Sequence, residues 1–231
     1  MTRKIKHLDL CSEQTNPPPY KVRNGKRINI SKNVRGKVVV REPSEITGIG
    51  IHQTACVFGP IGASRTLQRH RRALKVPCHA LAFRDGTFVT AFPLEWYVYH
   101  GNELNAFSLG LEIEGHFAGL PDDPRTPARE DIRTTWKGKA TPFDDLAVET
   151  AREALRYLVE EGRSRGMPIE WIWAHRQTNG SKPSDPGWAI WKHVVLDYGV
   201  PVLGLRTQPD QTWRDGKPIP AQWEPGANGR Y

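Results

Sequence analysis

The stretch that most constrains this chain runs from Trp173 to Gly187 and reads WAHRQTNGSKPSDPG. A short apolar run delivers His175 to a loop rich in Asn, Gly, Ser and Pro, residue types that favour turns over strand pairing. The loop ends at Asp185, and a helical pattern follows at once. A histidine at a strand end and a carboxylate at a helix start can converge on one point and supply two ligands of a catalytic zinc site. The alternative is that both are structural, with Asp185 as a helix N-cap.

Length and composition indicate one globular domain with appendages. The chain has 231 residues, of which 38% are hydrophobic, enough to fill a core. No apolar run approaches the roughly 18 residues of a membrane-spanning helix. The basic N-terminus lacks an apolar segment of the signal-peptide kind, so we expect synthesis in the cytoplasm without a Sec-type signal. Cys11, Cys56 and Cys78 lack the spacing of a disulfide framework or a CxxC site and are expected to be free thiols.

Positive charge is concentrated at one end of the chain. The formal net charge is +8, and residues 1–45 hold eleven Lys or Arg against four acidic residues, a net +7. A basic arm of this kind favours an anionic partner, which can be nucleic acid, a membrane surface or an anionic cell-wall polymer. A solubilising tail is the alternative. No finger, RNP or helix-turn-helix signature indicates specific nucleic-acid binding.

Three segments are expected. Residues 1–19 end in three prolines and are expected to lack ordered structure. Asn24-Gly25 then lies between alternating apolar and polar residues, which predicts a β-hairpin, so residues 1–45 are interpreted as a basic hairpin arm. Residues 46–205 form the domain, and the Pro- and Gly-rich residues 206–231 form a tail that wraps on the surface or stays mobile.

The domain has an α/β pattern. ITGIGI at residues 46–51 predicts a buried strand with His52 at its carboxyl end, where ligand-binding groups gather in open α/β sheets. Arg84-Asp85-Gly86 between two apolar runs predicts a second hairpin. Residues 117–140 are expected to form a surface loop. Helices are expected over residues 64–75, from an N-cap at Thr141 with Pro142 in the first turn to about residue 162, and over residues 187–198.

Two acidic side chains share one face of a predicted strand. Residues 108–114, SLGLEIE, alternate strictly, which places Glu112 and Glu114 on the same face, about 7 Å apart. In a solvated position such a pair has no functional meaning. Beside a metal, one of them is a candidate catalytic base.

In chain order the motifs GIHQTA, PCHALAFRDG, YHGN, SLGLEIEG and WAHRQTNGSKPSDPG resemble those of the zinc-dependent N-acetylmuramoyl-L-alanine amidases, whose fold is shared by the peptidoglycan recognition proteins. The resemblance covers residues 46–198. It implies an α/β fold with a mixed central β-sheet flanked by helices. It also implies Zn²⁺ as cofactor, peptidoglycan or muropeptides as partners, and hydrolysis of the amide bond between N-acetylmuramic acid and L-alanine.

Carried over by position, the resemblance implies that His52, His175 and Asp185 are the zinc ligands. It implies that Glu112 is the base that takes a proton from the nucleophilic water and delivers it to the leaving amine. Glu114 is the rival for that role and is expected in a supporting ion pair instead.

The chain departs from some relatives at the group that stabilises the oxyanion. Those relatives carry a Lys two positions before the third ligand, where this chain has Pro183. We expect Lys182 to take that catalytic role; the alternatives are that Arg176 takes it or that neither residue does. The expected substrate-binding residues are Gln53, His79 and His100, although either histidine can equally be structural. The remaining histidines (His7, His70, His116 and His193) and the basic stripe of the first predicted helix (Arg65, Arg69 and Arg72) are expected at the surface.

Three function classes compete. Binding-only peptidoglycan modules of the same fold usually lack a zinc ligand, whereas this chain keeps all three, which favours an amidase. The basic arm is the one feature that suggests a nucleic-acid-binding protein. The absence of a Sec-type signal fits a phage endolysin, a cytosolic muropeptide-recycling enzyme or an exported effector. The arm favours the endolysin-like, lytic role at the cell wall or periplasm. In that role it would bind anionic wall polymers and be separable from the chemistry.

Overall fold

A computed structural model describes residues 4–14, 20–58, 66–120, 126 and 140–224. Its strands are β1 (Lys6–Asp9), β2 (Tyr20–Arg23), β3 (Lys26–Asn29), β4 (Asn33–Val34), β5 (Lys37–Val38), β6 (Gly48–Gln53), β7 (Ala80–Ala82), β8 (Thr87–Thr90), β9 (Ser108–Ile113) and β10 (Trp171–Ala174). Its helices are α1 (Thr66–His70), α2 (Leu104–Phe107), α3 (Asp145–Ser164) and α4 (Trp188–Ile190), and π-helical turns continue α4 over Trp191–Gly199. None of these helices is long and apolar enough to span a bilayer.

Six strands form one mixed sheet in the order β1-β8-β7-β9-β6-β10. Neighbouring strands are parallel except β7 and β8, which form the hairpin predicted around Asp85-Gly86. The apolar stripe of α3 and the π-helical turns pack against one face of the sheet and form the main core with it. The predicted mixed sheet flanked by helices is therefore confirmed.

The two central strands, β6 and β9, divide their side chains between the two faces of the sheet. On the core face they contribute aliphatic residues that are at most 1% exposed: Ile49, Ile51, Leu109, Leu111 and Ile113. On the other face, register pairs Gly50 with Gly110 and His52 with Glu112. The sheet therefore presents polar groups to the face that α3 does not cover, and the two glycines leave space beside them.

Helix α3 begins later than predicted. Its N-cap is Asp144, whose carboxylate accepts a hydrogen bond from the backbone N–H of Ala147 at 3.0 Å. Thr141 instead accepts the N–H of His116 through Oγ1 at 2.9 Å and donates its own N–H to the His116 carbonyl. Both residue types cap helices well, and the tertiary contact to His116 decides between them. Pro142 accordingly precedes the helix.

The N-terminal segment belongs to the central sheet. Strand β1 pairs in parallel with β8, from Lys6 opposite Thr87 to Asp9 opposite Thr90, and Leu10 is only 4% exposed. The prediction of disorder for residues 1–19 is therefore wrong for residues 4–14, whose few apolar residues gave too short a pattern to predict a strand. Residues 1–3 and 15–19 lie outside the described residues.

Two small β-hairpins follow β1. The predicted hairpin is formed by β2 and β3, with positive φ at Asn24 (51°) and Gly25 (72°), the backbone that a two-residue type I′ turn requires. Strands β4 and β5 form a second hairpin with the same feature at Arg35 and Gly36. Between the hairpins the chain is anchored, since Ile30 is 1% exposed and its carbonyl accepts the N–H of Tyr99.

Two other segments are more buried than expected. Phe117 and Ala118, assigned to a surface loop, are 2% and 8% exposed; residues 121–125 and 127–139 of that loop lie outside the described residues. The C-terminal tail wraps the domain and contributes Ile219 and Trp223 to the main core. Residues 225–231 are not described.

Candidate active site

Parallel pairing of β6 and β10 brings two histidines together. Ile51 lies opposite Ala174, and each is followed in sequence by a histidine, His52 and His175. The centroids of the two imidazole rings are 4.5 Å apart. The loop after His175 returns with Asp185, and one ligand atom from each of the three residues lies within 4.8 Å of the others. The fold thus brings together the three residues predicted to bind a metal.

The carboxylate of Asp185 is fixed at both oxygens. Oδ2 lies 3.0 Å from Nδ1 of His175, and Oδ1 accepts the backbone N–H of Gln53 at 3.0 Å. Gly187 supports this loop, because its φ is 102° and a Cβ there would lie 2.9 Å from Cβ of Phe117. A glycine is therefore required where the loop passes under Phe117.

The donor set fits a zinc ion. His52 is fully buried, its Nε2 lies 3.0 Å from Nδ1 of His100, and its Nδ1 has no hydrogen-bond partner in the described part of the chain. A buried ring nitrogen without a partner demands an explanation, and a metal supplies one. Two imidazoles and one carboxylate are a known protein ligand set of catalytic zinc, which leaves a fourth position open. Burial, helped by His175 and His100, lowers the pKa of His52 well below its ordinary value and favours the neutral ring that binds metals.

Glu112 lies beside the three candidate ligands. It is the cross-strand neighbour of His52, and its Oε2 is buried without a hydrogen-bond partner among the residues described. Burial, reinforced by the negative charge of Asp185, raises the pKa of Glu112 well above its ordinary value, and Lys182 opposes this effect. A carboxyl group with a raised pKa beside a candidate metal site is typical of a general acid–base catalyst.

Glu114 has a different environment. It is fully buried, forms an ion pair with Arg69, and accepts the backbone N–H groups of Phe58 at 2.8 Å and Arg84 at 3.0 Å. These contacts match the supporting ion pair expected for Glu114. The prediction that Arg69 is solvated is wrong, since its guanidinium also pairs with Asp85 and the residue is 4% exposed.

The same network overturns another surface assignment. His70 is 3% exposed, and its Nε2 lies 2.9 Å from Oδ2 of Asp85. The carboxylates of Asp85 and Glu114 hold Arg69 and His70 against the domain, an effect that the helical pattern of residues 64–75 does not reveal.

The two candidates for oxyanion stabilisation differ in position. Lys182 is partly exposed, and its positive charge contributes to lowering the pKa of His52 and opposes the rise in the pKa of Glu112. The guanidinium of Arg176 is buried, donates to the carbonyls of Pro183 and Pro218, and lies 5.2 Å from the ring centroid of Trp223. Arg176 therefore holds the C-terminal tail, and Lys182 is the candidate that remains.

The side chains predicted to bind substrate are buried, and their hydrogen bonds are made within the protein. Gln53 donates from Nε2 to the carbonyls of Phe117 and Ser184, and its Oε1 accepts the N–H of Phe117. His79 is fully buried and accepts the N–H of Gly110 at Nδ1. His100 is 4% exposed. The substrate-contact interpretation therefore does not fit the geometry of Gln53, His79 or His100, which bind other parts of the fold.

One residue near the site was missed. Arg41 was counted with the basic arm, yet it is 4% exposed and donates to the carbonyls of Leu94, Asn105 and Ser108. Its Nη2 also lies 3.1 Å from Nε2 of His79. The three valines that precede Arg41 are the one sequence signal of an approach to the core.

Comparisons with known proteins agree with this fold. The N-acetylmuramoyl-L-alanine amidase family matches residues 42–188, and the chain belongs to that family. Wild-type Drosophila PGRP-LB is similar in structure, with a TM-score of 0.50 at 11% identity, covering 87% of this chain and 96% of that one. The endolysin LysCS from Clostridium intestinale URNW gives a TM-score of 0.45 at 14% identity, covering 89% and 100%. No match was found among curated proteins.

Proposed function

We propose that this chain is a zinc-dependent hydrolase that cleaves the amide bond between N-acetylmuramic acid and L-alanine of peptidoglycan. The observation that carries the proposal is the convergence of His52, His175 and Asp185 within 4.8 Å. Beside them lies Oε2 of Glu112, which has no hydrogen-bond partner within the described ranges. Membership of the amidase family supports it.

Each residue has a distinct role in the proposed reaction. Zinc held by His52, His175 and Asp185 would supply a Lewis acid for the scissile carbonyl and for the water nucleophile. Glu112 takes a proton from that water and returns it to the amine of the leaving L-alanine. The ammonium of Lys182 stabilises the negative charge that develops on the carbonyl oxygen.

A non-catalytic peptidoglycan-binding module of the same fold is the second candidate. The complete donor set favours the enzyme, because a binding module has no need of an acid–base carboxylate next to three metal donors. A cytosolic muropeptide-recycling amidase would use the same residues and differs in its substrate, a soluble fragment in place of the intact wall.

The test is digestion of purified peptidoglycan by the zinc-loaded full chain, followed by mass spectrometry and labelling of new amino termini. We expect free L-alanine amino termini and intact glycan strands. Glu112→Gln is the matched control that keeps the zinc donors. Binding to peptidoglycan without release of L-alanine amino termini would favour the module, and new reducing sugar ends would contradict amide cleavage.

The N-terminal hairpins supply the proposed attachment to the wall. Residues 20–41 contain eight Lys or Arg and no acidic residue, and most of the hairpin side chains are exposed. We propose that they bind anionic wall polymers by a field that salt screens over about 8 Å at physiological ionic strength. This attachment supports an endolysin-like, lytic role at the cell wall.

A further inference from the structure

His100 occupies a space that two glycines create. Gly50 and Gly110 face one another across β6 and β9, and the imidazole of His100 lies over both. A Cβ added at Gly110 would lie 2.6 Å from Cγ of His100, and one at Gly50 would lie 2.9 Å from Cε1. Neither strand could carry a larger residue there without displacing the ring. The sheet is therefore shaped around this histidine.

Hydrogen-bond partners determine where His100 carries its proton. Its Nε2 lies 3.3 Å from the carbonyl oxygen of Ser108 and 3.5 Å from Oγ of the same residue. The hydroxyl of Ser108 donates its hydrogen to the carbonyl of Leu104 at 2.8 Å. Both oxygens of Ser108 therefore act as acceptors toward His100, and Nε2 must be the protonated nitrogen.

The position of the proton on His100 determines which nitrogen of His52 is protonated. A neutral imidazole has one N–H, so a proton on Nε2 leaves Nδ1 of His100 with a lone pair. That Nδ1 lies 3.0 Å from Nε2 of His52, which must then be the donor. The neutral ring of His52 consequently carries its lone pair on Nδ1, the nitrogen that has no partner in the described part of the chain.

We infer that His100 is a positioning residue that holds His52 in the tautomer whose Nδ1 is free to bind the metal. The chain of contacts runs from Ser108 through His100 to His52, and Arg41 donates to the same Ser108 carbonyl at 2.7 Å. The consequence for metal affinity rests on the proposed zinc site, whereas the tautomer of His52 does not. Partners of this kind orient metal-binding histidines, and their loss costs about 10–100-fold in metal affinity.

Three variants separate this role from packing. His100→Phe keeps a ring in the space above the glycines but removes the acceptor. His100→Asn restores an acceptor, because its side-chain oxygen can take the place of Nδ1. His79→Phe is the matched control, since His79 is also a fully buried histidine, and its ring bonds to Arg41 and Gly110 rather than to His52.

Two measurements on the full chain test the inference. Long-range ¹H–¹⁵N NMR of histidine-labelled, metal-free protein reports the tautomer of each ring. We expect His52 as the Nε2–H form in the wild type and in His100→Asn, and a mixture in His100→Phe. Competition with a chelator reports zinc affinity. We expect a loss of about 10–100-fold for His100→Phe, and a much smaller loss for His100→Asn and for His79→Phe.

A wild-type His52 that carries its proton on Nδ1 would overturn the inference without any variant, so it stays testable even where His100→Phe does not fold. Equal zinc affinity of His100→Phe and the wild type would also overturn it. A wild-type chain that binds no zinc, but in which His52 is the Nε2–H form, would contradict the proposed function. It would leave the effect of His100 on the His52 tautomer in place.

Discussion

The backbone N–H of Gln53 donates to Oδ1 of Asp185 at 3.0 Å. The strand that carries His52 therefore also fixes the carboxylate that lies near His52, and the other oxygen of that carboxylate contacts His175. The three donors are tied together by protein contacts. This preorganisation would lower the conformational cost of binding the proposed zinc ion.

The first prediction concerns the ligand set. His52→Ala and Asp185→Ala proteins should purify without stoichiometric zinc, because each removes one of three donors. Metal analysis of protein purified without added zinc is the measurement. His193→Ala is the matched control, since this partly exposed ring contacts Asp197 rather than a candidate ligand and should leave zinc content unchanged. Stoichiometric zinc in His52→Ala would rule out this ligand set.

The second prediction separates the two glutamates. Glu112→Gln should keep zinc and fold and lose about 10²–10⁴-fold in turnover of a soluble muropeptide, the range for general acid–base catalysis. Glu114→Gln should act through stability, because it leaves the buried guanidinium of Arg69 with Asp85 as its remaining charged partner. The cost should stay below the roughly 3–5 kcal/mol of a buried charge that has lost its partner entirely. Turnover and thermal unfolding of both variants are compared. Loss of turnover in Glu114→Gln at an unchanged Tm, with an active Glu112→Gln, would reverse the assignment.

Sequence patterns were sufficient for the central strands of the sheet and for the candidate ligands, whereas the edge strand β1 was missed. Strict alternation predicts β9, and a short apolar run that ends at His52 predicts β6, because both signals are local. The environment of His100 depends instead on Gly50 and Gly110, which lie on different strands and meet only after the sheet forms. No local pattern shows that space, so a buried positioning histidine looked like a substrate contact.

Arg41 was missed for a related reason. Among eleven basic residues of the first 45, it differs only in its neighbours, and its burial depends on carbonyl groups contributed by Leu94, Asn105 and Ser108. A cation that is bound by distant backbone groups leaves no pattern in its own segment.

The third prediction concerns acid stability of the metal-free protein. Burial, then the charge of Arg41 and the nearby His100, lowers the pKa of His79 well below its ordinary value, and its Nδ1 already accepts the N–H of Gly110. The unfolded chain binds a proton at His79 below about pH 6.5 and the folded chain does not. The free energy of unfolding should therefore be highest above that pH and fall as the pH drops toward the lowered folded value.

Urea unfolding of chelator-treated protein at a series of pH values measures this effect. His79 alone should contribute a slope of up to about 1.4 kcal/mol per pH unit within that window. His79→Gln should show a shallower slope than the wild type, whatever its stability at neutral pH. An unchanged slope in His79→Gln would show that the pKa of His79 is the same in the folded and the unfolded chain.

The fourth prediction concerns the N-terminal arm, for which sequence alone suggested that charge and chemistry are separable. The structure ties the arm to the domain through β1 at the sheet edge and through buried Leu10, Ile30 and Arg41. Deletion of residues 1–41 should therefore lower the Tm and reduce turnover of a soluble muropeptide as well as of sacculi. If the protein without residues 1–41 keeps the wild-type Tm and the wild-type turnover of the soluble substrate, the arm is separable from the catalytic domain.

Attachment to the wall must then be tested by removing charge while keeping the strands. Arg23, Lys26 and Lys37 are exposed on the two hairpins, and their joint replacement by Gln should leave the Tm and muropeptide turnover unchanged. At low salt the triple variant should bind sacculi more weakly than the wild type does. This difference should shrink as the salt concentration rises, because ions screen exposed charges. The matched control replaces the same number of exposed cations outside the arm: Arg206, Arg214 and Lys217. Equal weakening by both sets would indicate that overall charge, rather than the hairpins, holds the protein on the wall.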